Sequence, residues 1–225
     1  MLVDAMVGWV ERAQEPVLFV TFNYDTMLER AIAQELTYSF GDMNSYVARN
    51  DVKVFKVHGS VDWGHRGNAN FGRDGMPGVI EHAWQLDIPG DYQIKRDWNV
   101  SQGSEFWVPA LAVPVRTKSS FECLKEHLDK LWELLPAVER VLVIGWAGME
   151  DHFLAMLHER LRTEQKAVVV ACGSTEASRE TFARMARWPD GRTMSVRGGP
   201  ATWQQDLKFS ELFATDDFRD FVSRV

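Results

Sequence analysis

Short apolar runs that end in polar or glycine-bearing turns are the feature that most limits what this chain can fold into. Four such runs occupy residues 17–20, 52–55, 140–144 and 167–171. Apolar, β-branched runs of this length are typical of strands that are buried on both faces of a parallel sheet. Segments with helical spacing of apolar residues lie between the runs, and this alternation favours βαβ units. We therefore predict an α/β fold: a three-layer, Rossmann-like domain with a mostly parallel sheet.

The predicted elements cover most of the 225 residues. The predicted strands are residues 17–22, 52–57, 110–115, 140–145, 167–171 and 193–197. The predicted helices are residues 1–14, 26–34, 119 or 120 to 135, 151–162, 175–187 and 216–224. Thr26 and Glu29 have the spacing of a capping box at the start of the second helix. Residues 64–108 lack periodicity, so we expect an irregular insert or cleft-covering excursion after the second predicted strand, within a single domain spanning residues 1–225.

The charge and composition of the chain exclude several classes of protein. The formal net charge is −7, whereas nucleic-acid binding needs clustered Lys and Arg to neutralise phosphates. Cys123 and Cys172 are the only cysteines and lie far apart, which argues against a disulfide scaffold or a zinc ribbon. No apolar stretch approaches the length of a membrane helix, and residues 1–8 lack the basic start of a leader peptide. We expect a cytoplasmic protein that binds neither nucleic acid nor membranes.

Two turns at predicted strand ends carry the most distinctive polar residues. Thr21, Asn23 and Asp25 come at the end of the first strand, and His58 and Gly59 follow the second. In open α/β sheets, ligands bind outside the carboxyl ends of the strands. The first turn has two interpretations. Asn23 and Asp25 can cap the following helix, which is worth about 1 kcal/mol, or Asn23 can hydrogen-bond a ribose or an amide of a ligand while Asp25 orders the turn.

His58 is a candidate general base. A neutral imidazole near physiological pH can accept a proton from a hydroxyl, and the adjacent Gly59 permits close approach of a ligand. A loop histidine that is satisfied by backbone groups is the alternative interpretation. The other histidines show no metal-ligand spacing, and we predict no metal site.

Two later strand ends also carry glycine-containing turns. Gly145 and Trp146 follow one strand, and Gly173 and Ser174 follow the next. Backbone amides at such turns, and at the starts of the helices that follow, can approach a phosphate. Packing and capping are the alternative for each turn taken alone. Because the carboxyl ends of parallel strands meet at one edge of a sheet, we predict that the four turns share that edge.

Three segments of the chain resemble the sirtuin-like family in their order and spacing. Residues 20–31 are similar to the strand, Asn-x-Asp turn and helix of bacterial sirtuin-like domains. Residues 56–61 are similar to the catalytic His-Gly segment of these domains, and residues 141–153 are similar to their later Gly turn. The resemblance implies an NAD site. It implies His58, Asn23 and Asp25 as catalytic residues and Thr21, Asn23, Gly59, Gly145, Trp146, Gly173 and Ser174 as cofactor-binding residues.

The same resemblance assigns roles within that site. Asn23 and Asp25 are expected at the nicotinamide-ribose end of NAD, and His58 is expected to be the general base that acts on a ribose hydroxyl. Gly145 and Ser174 are expected near the phosphates and the adenosine.

Besides the Trp146-Ala147-Gly148 stretch, which stands where the family commonly has a serine after the late Gly turn, two departures from the family pattern bear on function. Residues 1–16 contain no Gly-Ala-Gly-x-Ser loop, which in the family cradles the pyrophosphate. The four cysteines of the zinc module found in deacetylating sirtuins are also missing. The second departure points away from deacylation and towards the bacterial NAD-consuming branch, which is often tied to phage defence. The first is expected to weaken NAD binding more than bond cleavage.

The resemblance therefore implies an NAD hydrolase, and two other functions are weighed against it. One is a degenerate, non-catalytic nucleotide-binding sensor or assembly module, acting as a homo-oligomer or with a partner protein. The other is an unrelated Rossmann-like hydrolase, but the sequence has no Gly-x-Ser-x-Gly elbow to support it.

Overall fold

A computed structural model describes residues 2–67, 92–96, 106–112, 121–197, 202–203 and 209–223 of a mixed α/β protein. The helices in these ranges are α1 (Leu2–Ala13), α2 (Met27–Leu36), α3 (Lys125–Leu134), α4 (Asp151–Arg160), α5 (Thr175–Ala186), α6 (Phe209–Leu212) and α7 (Asp216–Ser223). The strands are β1 (Val17–Thr21), β2 (Val52–Lys56), β3 (Gly59–Gly67), β4 (Tyr92–Ile94), β5 (Phe106–Leu111), β6 (Arg140–Ile144), β7 (Glu164–Gln165), β8 (Ala167–Ala171), β9 (Ser195–Val196) and β10 (Thr202–Trp203).

The described residues form two compact units. We call the unit built from described residues between 16 and 128 the His58 unit. The unit built from residues 2–15 and from described residues between 129 and 223 is called the Gly145 unit.

A parallel pair of strands carries the first two predicted turns of the His58 unit. β1 and β2 pair in register, from Val17 opposite Val52 to Thr21 opposite Lys56. Every residue of β2 is buried, including Lys53 and Lys56 beside its three apolar residues. Because Thr21 and Lys56 are partners at the carboxyl ends of the two strands, the segments that follow them leave the sheet at the same edge.

A three-stranded antiparallel sheet in the order β4-β3-β5 completes the strands of the His58 unit. Trp63 of β3 lies opposite Ile94, and His65 lies opposite both Tyr92 and Val108. The expectation of irregular structure from residue 64 onwards is therefore wrong for residues 64–67, 92–94 and 106–108. The remaining residues of the predicted insert, apart from 95–96, lie outside the described residues. These strands form through pairing between segments distant in sequence, which periodicity within one segment does not reveal.

The Gly145 unit contains a parallel sheet in the order β10-β8-β6. β6 and β8 run in register, with Ile144 opposite Ala171 at their carboxyl ends. The short strands β7 and β9 form a second parallel pair. The core residues of this unit share near-complete burial and include Val143, Leu157, Val170, Met185, Trp188 and Leu212. The turns after β6 and β8 therefore start from one sheet edge, as the turns after β1 and β2 do in the other unit.

The strands that consist of continuous apolar residues match their predictions most closely. Strands β1, β2, β6 and β8 agree with the predicted strands to within one residue at each end. The strand predicted at 110–115 is found as β5, which begins earlier and is antiparallel to β3. The predicted helix 119 or 120 to 135 is found only as α3; residues 113–120 lie outside the described residues.

We expect the buried residue His127, in the His58 unit, to make the stability of the protein depend on pH. This residue is 1% exposed; its Nε2 donates to the carbonyl of Met43 at 2.8 Å, and its Nδ1 has no hydrogen-bond partner in the structure. Burial lowers the pKa of His127 from its ordinary value of 6.5. The unfolded chain therefore binds this proton more tightly than the folded one, so stability is full above the unfolded pKa and falls as the pH drops below it.

Urea unfolding between about pH 7 and pH 5 measures this effect. We expect the unfolding free energy to fall across the range and to fall less steeply in His127→Gln, whose amide can still donate to Met43. Identical slopes for the two proteins would show that His127 does not contribute.

Candidate functional site

Backbone hydrogen bonds tie the two turns of the His58 unit together. The amide of Val57 donates to the carbonyl of Thr21 at 3.3 Å, which continues the pairing of β1 with β2 past the last residue of each strand. The amide of Val61 donates to the carbonyl of Tyr24 at 2.9 Å, and the hydroxyl of Ser60 donates to the same carbonyl at 3.3 Å. The Asn23–Asp25 turn and the His58-Gly59 turn are thus one connected structure.

Asn23 and Asp25 are both exposed but differ in how their side chains are used. The Asp25 carboxylate accepts the amide of Met27 at 2.9 Å and so satisfies a free amide in the first turn of α2. The Asn23 amide group makes no hydrogen bond to the described residues; only its backbone nitrogen does, to Thr21 Oγ1 at 3.1 Å. Asp25 therefore orders the turn, and Asn23 presents two donors and an acceptor to solvent or to a ligand.

The predicted capping box at the start of α2 is wrong. Thr26 makes no side-chain capping bond, and Glu29 points into the interior, where it is 5% exposed. Its carboxylate lies 2.9 Å from Nζ of Lys56, which is fully buried. A buried ammonium needs a charged or hydrogen-bonding partner, and this requirement takes Glu29 away from the helix start.

A buried polar chain continues from this ion pair beneath the turn. The ammonium of Lys56 also donates to the backbone carbonyl of Asp25. The hydroxyl of Tyr46 donates to Glu29 Oε1 at 3.3 Å, and Nε1 of Trp63 donates to the Tyr46 hydroxyl at 3.1 Å. Burial raises the pKa of Tyr46, which keeps its phenol neutral and able to donate. Sequence reasoning missed this chain, although a lysine at the end of an otherwise apolar run was a visible signal.

The imidazole of His58 is held by two aromatic rings. It is 7% exposed, with Phe22 edge-on at 5.1 Å between ring centroids and Tyr24 stacked at 6.4 Å. The backbone carbonyl of His58 accepts the amide of Ala112 at 2.9 Å, and the Tyr24 hydroxyl donates to the carbonyl of Ala112. These contacts fix the ring next to the turn that contains Asn23. Burial raises the pKa of the Tyr24 phenol, so this ring stays neutral beside the histidine.

The position of Gly59 leaves no room for a side chain. Its φ is +85°, and a Cβ built on it would lie 1.8 Å from the carbonyl oxygen of Ala110. The glycine therefore serves the close packing of β3 against β5 as well as any approach of a ligand.

A second polar cluster lies next to the His58-Gly59 turn. Nε2 of His65 lies 2.7 Å from Glu122 Oε1, and the Tyr92 hydroxyl donates to the same oxygen at 3.1 Å. The amide of Glu122 donates to the carbonyl of Val57 at 3.0 Å, which anchors the cluster to the turn. Burial raises the pKa of the neighbouring Cys123 to about 12, so its thiol stays protonated at neutral pH and is a poor nucleophile.

The Gly145 turn is anchored to the helix that follows β8. Gly145 has a φ of +66°, and its amide donates to the carbonyl of Ala171 at 2.9 Å. The carbonyl of Trp146 accepts from Cys172 Sγ at 3.0 Å and from Thr181 Oγ1 at 3.3 Å. The turn is thus held at the strand edge through its backbone.

The Gly173-Ser174 turn begins α5. Gly173 has a φ of +81° and nothing within 4 Å of the position that a Cβ would take. Ser174 is the N-cap, and its hydroxyl accepts the amide of Ala177 at 3.1 Å. Capping accounts for Ser174, while Gly173 leaves open space at the helix start.

The structure distributes the predicted site residues over both units. Thr21, Asn23, Asp25, His58 and Gly59 come together in the His58 unit, and Gly145, Trp146, Gly173 and Ser174 come together in the Gly145 unit. Within each unit the two turns leave one edge of a parallel pair of strands. A single edge shared by all four turns stays a prediction.

Two further kinds of site were sought in the described part of the chain. There, no group of three or more His, Cys, Asp or Glu side chains could hold a metal ion. None of the helices within the described ranges has the length and apolar character needed to cross a membrane.

The described residues form an α/β protein with polar turns at the carboxyl ends of parallel strands, which is where α/β domains bind ligands. Comparison with protein families identifies it further: the model of the SIR2-like domain matches residues 17–187, and the chain belongs to this family. The match starts at the first residue of β1 and includes all four turns. SIR2-like domains have a Rossmann-like fold and generally bind NAD. No curated protein matches the chain.

Proposed function

We propose that this protein hydrolyses NAD at the bond between nicotinamide and ribose, as a member of the phage-defence branch of the SIR2-like family. The observation that carries the proposal is that the exposed Asn23 and the buried His58 follow two neighbouring strand ends that are joined by backbone hydrogen bonds. The proposal includes a three-layer, Rossmann-like fold with a mostly parallel sheet.

The proposed reaction needs few groups from the protein. The C–N bond breaks, its electron pair leaves with the nicotinamide nitrogen, and a water oxygen bonds to C1′ of the ribose. The proton lost by water passes to a base, and the products are nicotinamide, ADP-ribose and a proton. Because the leaving group is neutral and an oxocarbenium ion develops, the protein has to hold the ribose and supply a base.

The residues of the His58 unit suit these two tasks. Asn23 offers donors and an acceptor that can hold ribose hydroxyls or the nicotinamide amide. His58 can take a proton from a ribose hydroxyl or from water, with its ring orientation already set by Phe22 and Tyr24. The carboxylate of Asp25 accepts a hydrogen bond from the backbone amide of Met27, so the role of Asp25 is to stabilise the turn.

The alternative is a non-catalytic nucleotide-binding module, and one observation favours it. Residues 2–13 form helix α1 and contain no glycine-rich loop for a pyrophosphate. Weak NAD binding without turnover is the behaviour that this alternative predicts.

Replacing Asn23 tests the ribose-holding role directly. We expect Asn23→Ala to weaken NAD binding roughly three- to tenfold, because a typical hydrogen bond contributes about 0.5–1.5 kcal/mol. Isothermal titration with NAD measures the change.

The matched control for this test is Asn50→Ala. Asn50 is an exposed asparagine of the same unit that lies outside both turns, so its replacement should leave affinity unchanged. Equal affinities in the wild type and Asn23→Ala would remove Asn23 from the site.

A further inference from the structure

The buried ion pair between Lys56 and Glu29 lies directly under the Asn23–Asp25 turn. Lys56 is 0% exposed, and its ammonium contacts two acceptors: the carboxylate of Glu29 and the backbone carbonyl of Asp25. The second contact joins the last residue of β2 to the turn that follows β1. The turn is therefore fastened from below by a charged donor on the strand that leads to His58.

Burying the Lys56–Glu29 ion pair costs folding free energy, so its presence suggests a functional role. Burying a lysine and a glutamate is often no better for stability than apolar residues of similar volume would be. Glu29 Oε2 has no hydrogen-bond partner among the described residues, so within them the pair is also incompletely satisfied. Its contact with the Asp25 carbonyl is the one that reaches the turn carrying Asn23.

We infer that Lys56, with Glu29 as its counter-ion, is a positioning residue that holds the Asn23–Asp25 turn in register with His58. A hydrogen bond from a charged donor is shorter and stronger than one from a neutral donor. The bond fixes the Asp25 carbonyl, Asp25 fixes the first turn of α2, and Asn23 is thereby held in place. The inference rests on the proposed function where it concerns NAD, and on the structure alone where it concerns the order of the turn.

The test variant removes both charges at once. Lys56→Met alone would leave Glu29 as a buried, unpaired charge. The melting temperature of this single variant is therefore expected to fall by about 10 °C. The double variant Lys56→Met with Glu29→Gln avoids this, because the introduced side-chain amide is neutral and can still accept from the Tyr46 hydroxyl. We expect it to melt near the wild-type temperature.

Two readouts distinguish positioning from a merely structural role. Hydrogen exchange at the amides of Asn23 and Met27, which donate to Thr21 Oγ1 and Asp25 Oδ1, reports the order of the turn. We expect exchange there to be roughly tenfold faster in the double variant, and kcat/KM for NAD to fall roughly tenfold. The matched control is Lys130→Met with Glu133→Gln, which removes an exposed Lys–Glu pair of the same 2.9 Å separation and should change neither readout.

Each outcome decides the inference. Wild-type exchange in the double variant overturns it, and so does faster exchange with an unchanged kcat/KM. If the wild type itself neither binds nor cleaves NAD, the proposed function fails, and the exchange rates alone decide whether the ion pair orders the turn.

Discussion

Replacing His58 with glutamine is expected to lower nicotinamide release from NAD roughly a hundred- to ten-thousand-fold, which is the usual contribution of a general base. In free energy this is about 3–5 kcal/mol of transition-state stabilisation. Glutamine keeps a polar side chain between Phe22 and Tyr24 but cannot take up a proton at neutral pH. The loss should therefore appear in kcat, with NAD affinity changed much less.

The control for this variant is the same chemical change at a histidine outside the site. Nε2 of His158 contacts the carbonyl of Met185 at 3.0 Å, and a glutamine amide can replace that contact. We expect His158→Gln to keep the wild-type rate. Wild-type turnover in a folded His58→Gln protein would rule out the base role of His58.

Replacing Gly59 with alanine is expected to destabilise the protein strongly. A left-handed backbone costs an L-residue about 1–2 kcal/mol. The new Cβ would in addition lie 1.8 Å from the Ala110 oxygen, so β3 and β5 have to separate. Overpacking of this kind typically costs about 1–3 kcal/mol, and we expect a total loss of about 3 kcal/mol in the free energy of unfolding.

Gly191→Ala separates the two contributions. Gly191 has a φ of +87° and nothing within 4 Å of its Cβ position, so only the backbone cost applies. Urea unfolding should show a loss of about 1 kcal/mol for Gly191→Ala, well below that for Gly59→Ala. Equal losses would mean that the contact between Gly59 and β5 has little energetic weight.

The sequence predicts the parallel strands well because each of them is decided locally. Residues 52–56 and 140–144 each contain several β-branched or aromatic apolar residues, as strands buried on both faces do, and polar or glycine-bearing turns end them. The strand ends, and with them Asn23, His58, Gly145 and Gly173, could therefore be located before the structure was known.

The antiparallel sheet and the buried polar chain could not be predicted in the same way. β3 mixes Gly, Asp, His and Arg, and its strand conformation depends on pairing with β4 and β5 far along the chain. Glu29 has the spacing of a capping box, but its carboxylate pairs with the buried ammonium of Lys56 instead of with the start of the helix. In both cases the deciding partner is distant in sequence.

The proposed function requires that the strand-end turns of this SIR2-like domain cleave NAD. Free nicotinamide, measured while the purified wild-type protein is incubated with NAD, tests this most directly. We predict time-dependent release of nicotinamide and ADP-ribose in equal amounts. NAD that remains intact, with no change in the melting temperature of the protein when NAD is added, would contradict it.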